Sequence, residues 1–354
     1  MGLLENTLKE IRPIDNEAAW AADARLNSLT KPPGSLGYLE EIVRRYAAIR
    51  RDPNAAMGRG AIAVFVADHG VAEEGVSAFP QSVTVEMLRN IGSGGAAINV
   101  LARRFDYRLI VTDVGVKTDT SKNPFPGVTY RRIGPGTRNF LSAPAMSPAE
   151  AVRTLEAGIL TARELAGDGA TLIGIGDMGI ANSTSAAAIL SAIADIAPAA
   201  IVGRGTGLDD AGMRRKIEVV ERALELHRNA LGDGVSILAA VGGFEIAAMA
   251  GVCLGAAAMN VPVVVDGFIA TAAAAVAERI SPGLLDHLFF SHRSAEGGHA
   301  LALERFKARP VFDLDLRLGE GTGAALAMNI IETALALFHE MATFESAGVS
   351  EKVR

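Results

Sequence analysis

TLIGIGDMGIANST, residues 171–184, decides the fold. Residues 171–175 are an apolar run that reads as a strand. It runs into Gly176-Asp177-Met178-Gly179, and a helix is expected from Ser183 to about residue 196. Strand, glycine-bearing turn and helix in this order make one unit of an α/β sheet. The same unit recurs along the chain. AIAVFVA at 61–67 lacks polar alternation, as a strand does when both faces of a parallel sheet are covered, and it stops at Asp68-His69-Gly70. Further strands are expected at 107–114, 236–241, 261–265 and 288–291. Helices are expected at 84–104, 148–167, 210–230, 244–258 and 268–279.

Alternation of this kind implies a parallel sheet with right-handed crossovers. The two ends carry helices only. Residues 15–29 stop at Lys31-Pro32-Pro33-Gly34, Ser35 is expected to cap a helix from 36 to 51, and a long helix covers 323–342. The fold class is therefore α/β, a doubly wound, mostly parallel, Rossmann-like sheet. Residues 58–305 are expected to form the core, and 1–57 with 306–354 a smaller helical domain. In such sheets ligands sit beyond the carboxyl ends of the strands. Here those ends are marked by Asp68-His69-Gly70, Asp113-Val114-Gly115, Gly176-Asp177-Met178-Gly179, Gly242-Gly243 and Asp266-Gly267.

Composition narrows the class. Of 354 residues 49% are hydrophobic and 21% charged, which is ordinary for a globular chain and unlike a disordered or fibrous one. A net charge of −6 offers no basic footprint for nucleic acid or an anionic membrane. The one cysteine, Cys253, excludes an intramolecular disulfide and a cysteine metal cluster, so a cytosolic setting is expected. The first residues carry acids and no unbroken apolar core, unlike a signal peptide. The uncharged stretch between Glu245 and Asp266 is long enough to span a bilayer, but Asn260 and Pro262 split it. A buried helix, a turn and a strand are expected there rather than a membrane span.

Three segments carry candidate chemistry. In GIGDMGIANST, Gly176 and Gly179 allow close backbone approach, and the amides that open the next helix suit a phosphate; a plain turn with a hydroxyl cap is the other reading. No lysine follows as it does in a Walker motif, so ATP hydrolysis is not indicated. GRGTGLDD begins a second loop, in which Gly203, Arg204, Gly205 and Thr206 suit a phosphate or carboxylate. The loop is misplaced for a dinucleotide fingerprint, which argues against a nicotinamide-dependent dehydrogenase. In DLRLGEGTGAALAM, Glu320 sits between Gly319 and Gly321 just ahead of a helix. That acid can face a ligand or simply be a solvated acid at a helix start, and the helix field is expected to keep it ionised. The histidines show no metal-binding spacing, and His292 is expected in a hydrogen-bonded structural role.

Together, KPPGSLG (31–37), ADHGVAEEGVSAFPQSVT (67–84), GGAAINVLA (94–102), GDMGIANST (176–184), VDGF (265–268), SHRSAEGGH (291–299) and RLGEGTGAALAM (317–328) resemble the nicotinate-nucleotide:dimethylbenzimidazole phosphoribosyltransferases. The likeness spans nearly the whole chain. It implies transfer of phosphoribose from nicotinate mononucleotide to a benzimidazole, giving an α-ribazole 5′-phosphate and nicotinate in cobalamin nucleotide-loop assembly, with no cofactor. It also implies Glu320 as the catalytic base of ordinary pKa, supplied by the helical domain. Gly176, Asp177, Met178 and Gly179 are implied around the nucleotide and base. The loop 203–207 and Lys216 are implied near the phosphate, and Phe79, Gln81 and Met87 in the base pocket. Many relatives carry Glu at the Asp177 position, Ser at Phe79 and Gln at Met87, all in the base pocket. Phenolic bases, adenine and unsubstituted benzimidazole therefore stay open, as does a non-catalytic nucleotide binder on the same fold. A homodimer is expected, with alanine- and glycine-rich helices such as 268–279 packing across a two-fold axis.

Overall fold

The computed structural model describes residues 2–350 apart from Thr206. From the N-terminus come α1 (Leu3–Glu10), α2 (Asn16–Ser28), α3 (Tyr38–Arg50) and β1 (Arg59–Ala67). Then follow α4 (Ser82–Gly92), α5 (Ala97–Phe105), β2 (Arg108–Gly115), β3 (Val128–Tyr130), α6 (Pro148–Gly167) and β4 (Ala170–Met178). Between β4 and the next strand lie α7 (Asn182–Ala194), α8 (Pro198–Ile201), α9 (Asp210–Leu226), α10 (Gly234–Val241) and α11 (Phe244–Ala258). The order closes with β5 (Val263–Val265), α12 (Phe268–Ile280), β6 (Leu288–His292), α13 (His299–Arg305), β7 (Pro310–Phe312), α14 (Thr322–Glu340) and α15 (Phe344–Ala347).

These strands form one seven-stranded sheet in the order β3-β2-β1-β4-β5-β6-β7, and every neighbouring pair is parallel. The chain winds one way from β1 and the other way from β4. The crossovers therefore reverse between these two central strands, and a crevice opens there beyond their carboxyl ends. Successive strand residues point to opposite faces. Ala61, Ala63 and Phe65 of β1 and Ile173 and Ile175 of β4 join one core, shared with α6, α7, α11 and α12. Ile62, Val64 and Val66 join the other, with Leu26 of α2, Ile42 and Tyr46 of α3, and Met328 and Leu335 of α14. The helices of both chain ends thus meet over one face of the sheet.

Several expectations are corrected. Residues 236–241 form most of α10, not a strand. A run of one serine and five apolar residues fits a buried helix as well as a buried strand. Here the Asp233 carboxylate settles the matter by accepting the Val235 and Ser236 amides, both at 3.0 Å. The helix expected over 84–104 is two, because Gly92-Ser93-Gly94-Gly95 interrupts it and Gly94 takes a φ of 85°. Ser35 does not cap α3; Gly37 is the cap residue, and Glu40 of the first turn accepts the Leu36 amide at 3.0 Å. The short edge strands β3 and β7 were not anticipated, and β7 lies past residue 305, so the C-terminal segment supplies a strand of the sheet. Residues 246–265 are indeed helix and strand, α11 and β5. Among the described residues α14 alone is long and apolar enough to cross a membrane, and it packs on the sheet. Helix α12 is buried within the chain from Ala270 to Ala277, so it is not available as a two-fold contact.

Helices α6 and α11 lie backbone to backbone. A Cβ at Gly158 would stand 1.9 Å from the Ala248 carbonyl oxygen. Gly158→Ala is therefore expected to cost about 1–3 kcal/mol, the usual range for overpacking, read as a lower urea midpoint. Gly167→Ala, with nothing within 4 Å of the added methyl, should leave the midpoint unchanged or raise it. Equal midpoints for Gly158→Ala and wild type would refute this account of the contact.

Candidate active site

Strand ends and the start of α14 converge on the crevice. Asp68 and His69 follow β1, Asp177 and Met178 end β4, Asp266 follows β5, and His292 ends β6. The turn 319–321 leads into α14 across them. Buried Asp266 accepts the Gly321 amide at 2.9 Å and the Ala324 amide at 3.0 Å. A strand-end residue thus serves amides that a helix start cannot satisfy by itself. The Glu320 amide donates to the Asp177 carbonyl at 3.2 Å. Gly176 makes this stacking possible, since a Cβ there would lie 2.1 Å from the Gly321 nitrogen. Glu320 itself takes a φ of 62°, a left-handed conformation that persists only where its surroundings enforce it.

The Glu320 side chain is buried. Burial, reinforced by the Asp266 charge, pushes its carboxyl up to about 7. The expectation of an ordinary carboxylate kept ionised by the helix field is corrected here. The amides at the helix start are engaged by Asp266, and Glu320 is left in a water-poor turn beside that acid. Asp177 is pushed well above the usual range by burial, then by Asp266 and Glu245, against the opposing hydrogen bond from Asn182 Nδ2 at 2.7 Å. Its carboxyl therefore holds its proton more tightly than an ordinary aspartate.

A cavity of about 300 Å³ lies at this floor. Of the residues expected from the sequence, Phe79, Asp177, Gly179, Gly205 and Gly319 line it together. Phe79 is 51% exposed, an apolar ring at the wall. Gly203 and Arg204 line a second cavity of about 410 Å³, which shares Gly205, Glu296 and Arg317 with the first. Arg204 is engaged by the Leu208 carbonyl at 2.8 Å and by Asp210 at 2.5 Å. Lys216 is fully buried, and its Nζ donates to Ser183 Oγ at 2.8 Å and to the Gly203 carbonyl at 3.1 Å. Burial pulls this amine down to about 8 against the opposing charge of Glu296. Thr206 lies outside the described residues.

Gln81, Met87, Gly176, Met178, Lys216, Glu320 and Gly321 do not line the first cavity directly. Gln81 Nε2 donates to the His69 carbonyl at 2.9 Å, while Met87 and Met178 pack against the core shared with α14. Ser183, Glu296, Arg317 and Leu318 line the cavity but were not among the expected site residues. Ser183, Glu296 and Arg317 stand in quoted motifs, yet spacing alone does not say which side of a loop faces inward. His292 is structural in part, with Nδ1 2.8 Å from Ser291 Oγ and its ring stacked on Phe312, but it also lines the cavity.

Residues 11–349 match the model of a family described as phosphoribosyltransferase. A Chloroflexus aggregans protein named nicotinate-nucleotide–dimethylbenzimidazole phosphoribosyltransferase is 49% identical over 352 residues, 99% of each chain. A Geobacter protein of the same name is 47% identical over 350 residues, 99% of this chain and 100% of its own. The crystal structure of CobT from Thermus thermophilus superimposes with a TM-score of 0.90 at 48% identity, covering 95% of this chain and 100% of that one. With near-complete coverage by curated relatives and by a solved structure, the chain belongs to the nicotinate-nucleotide–dimethylbenzimidazole phosphoribosyltransferase family.

Proposed function

We infer that the chain transfers phosphoribose from nicotinate mononucleotide to 5,6-dimethylbenzimidazole, releasing nicotinate and α-ribazole 5′-phosphate in the assembly of the cobalamin lower ligand. The observation that carries the assignment of roles is a buried carboxyl of raised pKa, Glu320, next in sequence to cavity-lining Gly319. The leaving group is a cationic pyridinium, so nicotinate departs without being protonated. One benzimidazole nitrogen attacks C1′ from the opposite face, which turns β into α. The bond to nicotinate breaks with its electron pair, and the ring's other N–H becomes acidic. Glu320 takes that proton.

A base of pKa near the working pH is well matched to this task. The pinned turn holds the carboxyl in place, and positioning of two ligands supplies up to ~7–11 kcal/mol in well-oriented systems. Asp177, which lines the cavity, is suited to hydrogen-bond a ligand there. Ser183, Gly205 and Lys216 are suited to the phosphate. Phe79 is suited to lie against the flat heterocycle.

The direct test is nicotinate release from nicotinate mononucleotide plus dimethylbenzimidazole; binding of both without release would leave only a nucleotide binder. The pH profile carries a sign. The base acts deprotonated, so kcat/KM should rise through about pH 7 as Glu320 ionises. It should fall again above about pH 8 as Lys216 loses the charge that holds phosphate. Glu320→Gln should lower turnover by roughly 10²–10⁴-fold and abolish the rising limb, with little change in nucleotide binding. Turnover within a few-fold of wild type would remove Glu320 from this role. Phe79→Ser should shift preference among competing bases more than it changes affinity for nicotinate mononucleotide, and equal effects on both substrates would reject the wall assignment.

A further inference from the structure

Glu296 borders both cavities. Its Oε1 accepts the Gly205 amide at 2.9 Å. The far side of Gly205 is flanked by Ser183 Oγ and Lys216 Nζ, which would lie 3.0 and 3.3 Å from a Cβ placed there. Among the described residues, the carboxylate acting on the buried Lys216 amine is that of Glu296; the amine's hydrogen-bond partners, Ser183 Oγ and the Gly203 carbonyl, are neutral. An amide, a hydroxyl and an ammonium in one cluster form a phosphate-binding set. In this set the amide is already taken by an internal anion, and two anions within hydrogen-bonding range of the same donors repel each other.

We propose that Glu296 is an internal competitor for the phosphate site: its carboxylate and the phosphate of the mononucleotide claim the same Gly205 amide, and binding exchanges one for the other. This rests on the reading that the substrate's phosphate lies at the 203–207 loop. The exchange has a chemical use. Substrate and product both carry the phosphate, so tight binding of that group holds the two alike and does nothing for the transfer step. A resident carboxylate weakens both holds and eases release of the ribazole phosphate.

Inorganic phosphate, used as a competitive inhibitor against nicotinate mononucleotide, is the probe. It is compared in the full-length wild-type enzyme, Glu296→Gln and Lys216→Met. In Glu296→Gln the inhibition constant should fall roughly five- to tenfold, about the net factor one ordinary hydrogen bond represents, and the KM for the mononucleotide should fall with it. Lys216→Met should weaken phosphate inhibition. If Lys216→Met weakens it while Glu296→Gln leaves it unchanged or also weakens it, Glu296 organises the loop or is inert, and the proposal is overturned. If Lys216→Met leaves phosphate inhibition untouched, the placement of phosphate at this loop fails instead. Should Glu296→Gln not yield folded protein by circular dichroism, Glu296→Ala is judged by the same criterion, since loss of the charge is the operative change.

Discussion

The carboxylate of Asp266 ties the end of β5 to the first turn of α14 through the Gly321 and Ala324 amides. It does so almost wholly shielded from water: burial raises its carboxyl, and His292 and the helix amides oppose that rise without cancelling it. Most of the site's geometry follows from that tie. It sets the turn 319–321 on the bare backbone of Gly176, and it fixes Glu320 in a conformation that an unsupported residue would leave. It also places a second acid close enough to raise the Glu320 pKa.

Two buried acids thus play unlike parts because their surroundings differ. Asp266 has amide donors aimed at both oxygens. Burial raises both carboxyls, but at Asp266 those amides and His292 oppose the rise, whereas Glu320 has a like charge beside it that adds to it. Lys216 is the complement, a cation so buried that its pKa falls toward neutrality. Groups displaced toward the working pH from opposite directions are what acid–base chemistry and anion binding at neutral pH require.

The sheet was legible because its central strands are apolar on both faces and end in glycine with a polar residue. Residues 61–67 and 171–175 are also rich in β-branched and aromatic side chains, which favours strand over buried helix. The run 236–241 failed for a physical reason: five apolar residues behind one serine specify burial without specifying a period, and the deciding cap at Asp233 lies outside the run. The edge strands β3 and β7, three residues each, are too short to show alternation. In the site, Asp177, Gly179 and Gly319 were legible from their places at strand and helix ends. The couplings were not. Asp266 to Gly321 spans 55 residues and Glu296 to Gly205 spans 91, and no local pattern records such pairs. The raised Glu320 pKa belongs to the same class, since it arises from a neighbour that only the folded chain supplies.

The order in which the ribosome delivers these parts now takes on meaning. The glycine-bearing loops and every strand of the sheet emerge before the proposed base, and α14 arrives late to cover its share of one sheet face. Until that helix docks, Ile62, Val64 and Val66 lack part of their cover, and the acid at its threshold has no fixed place. Maturation of the catalytic centre and closure of the hydrophobic layer are therefore one event, so an incompletely made chain has neither a finished interior nor a misdirected activity.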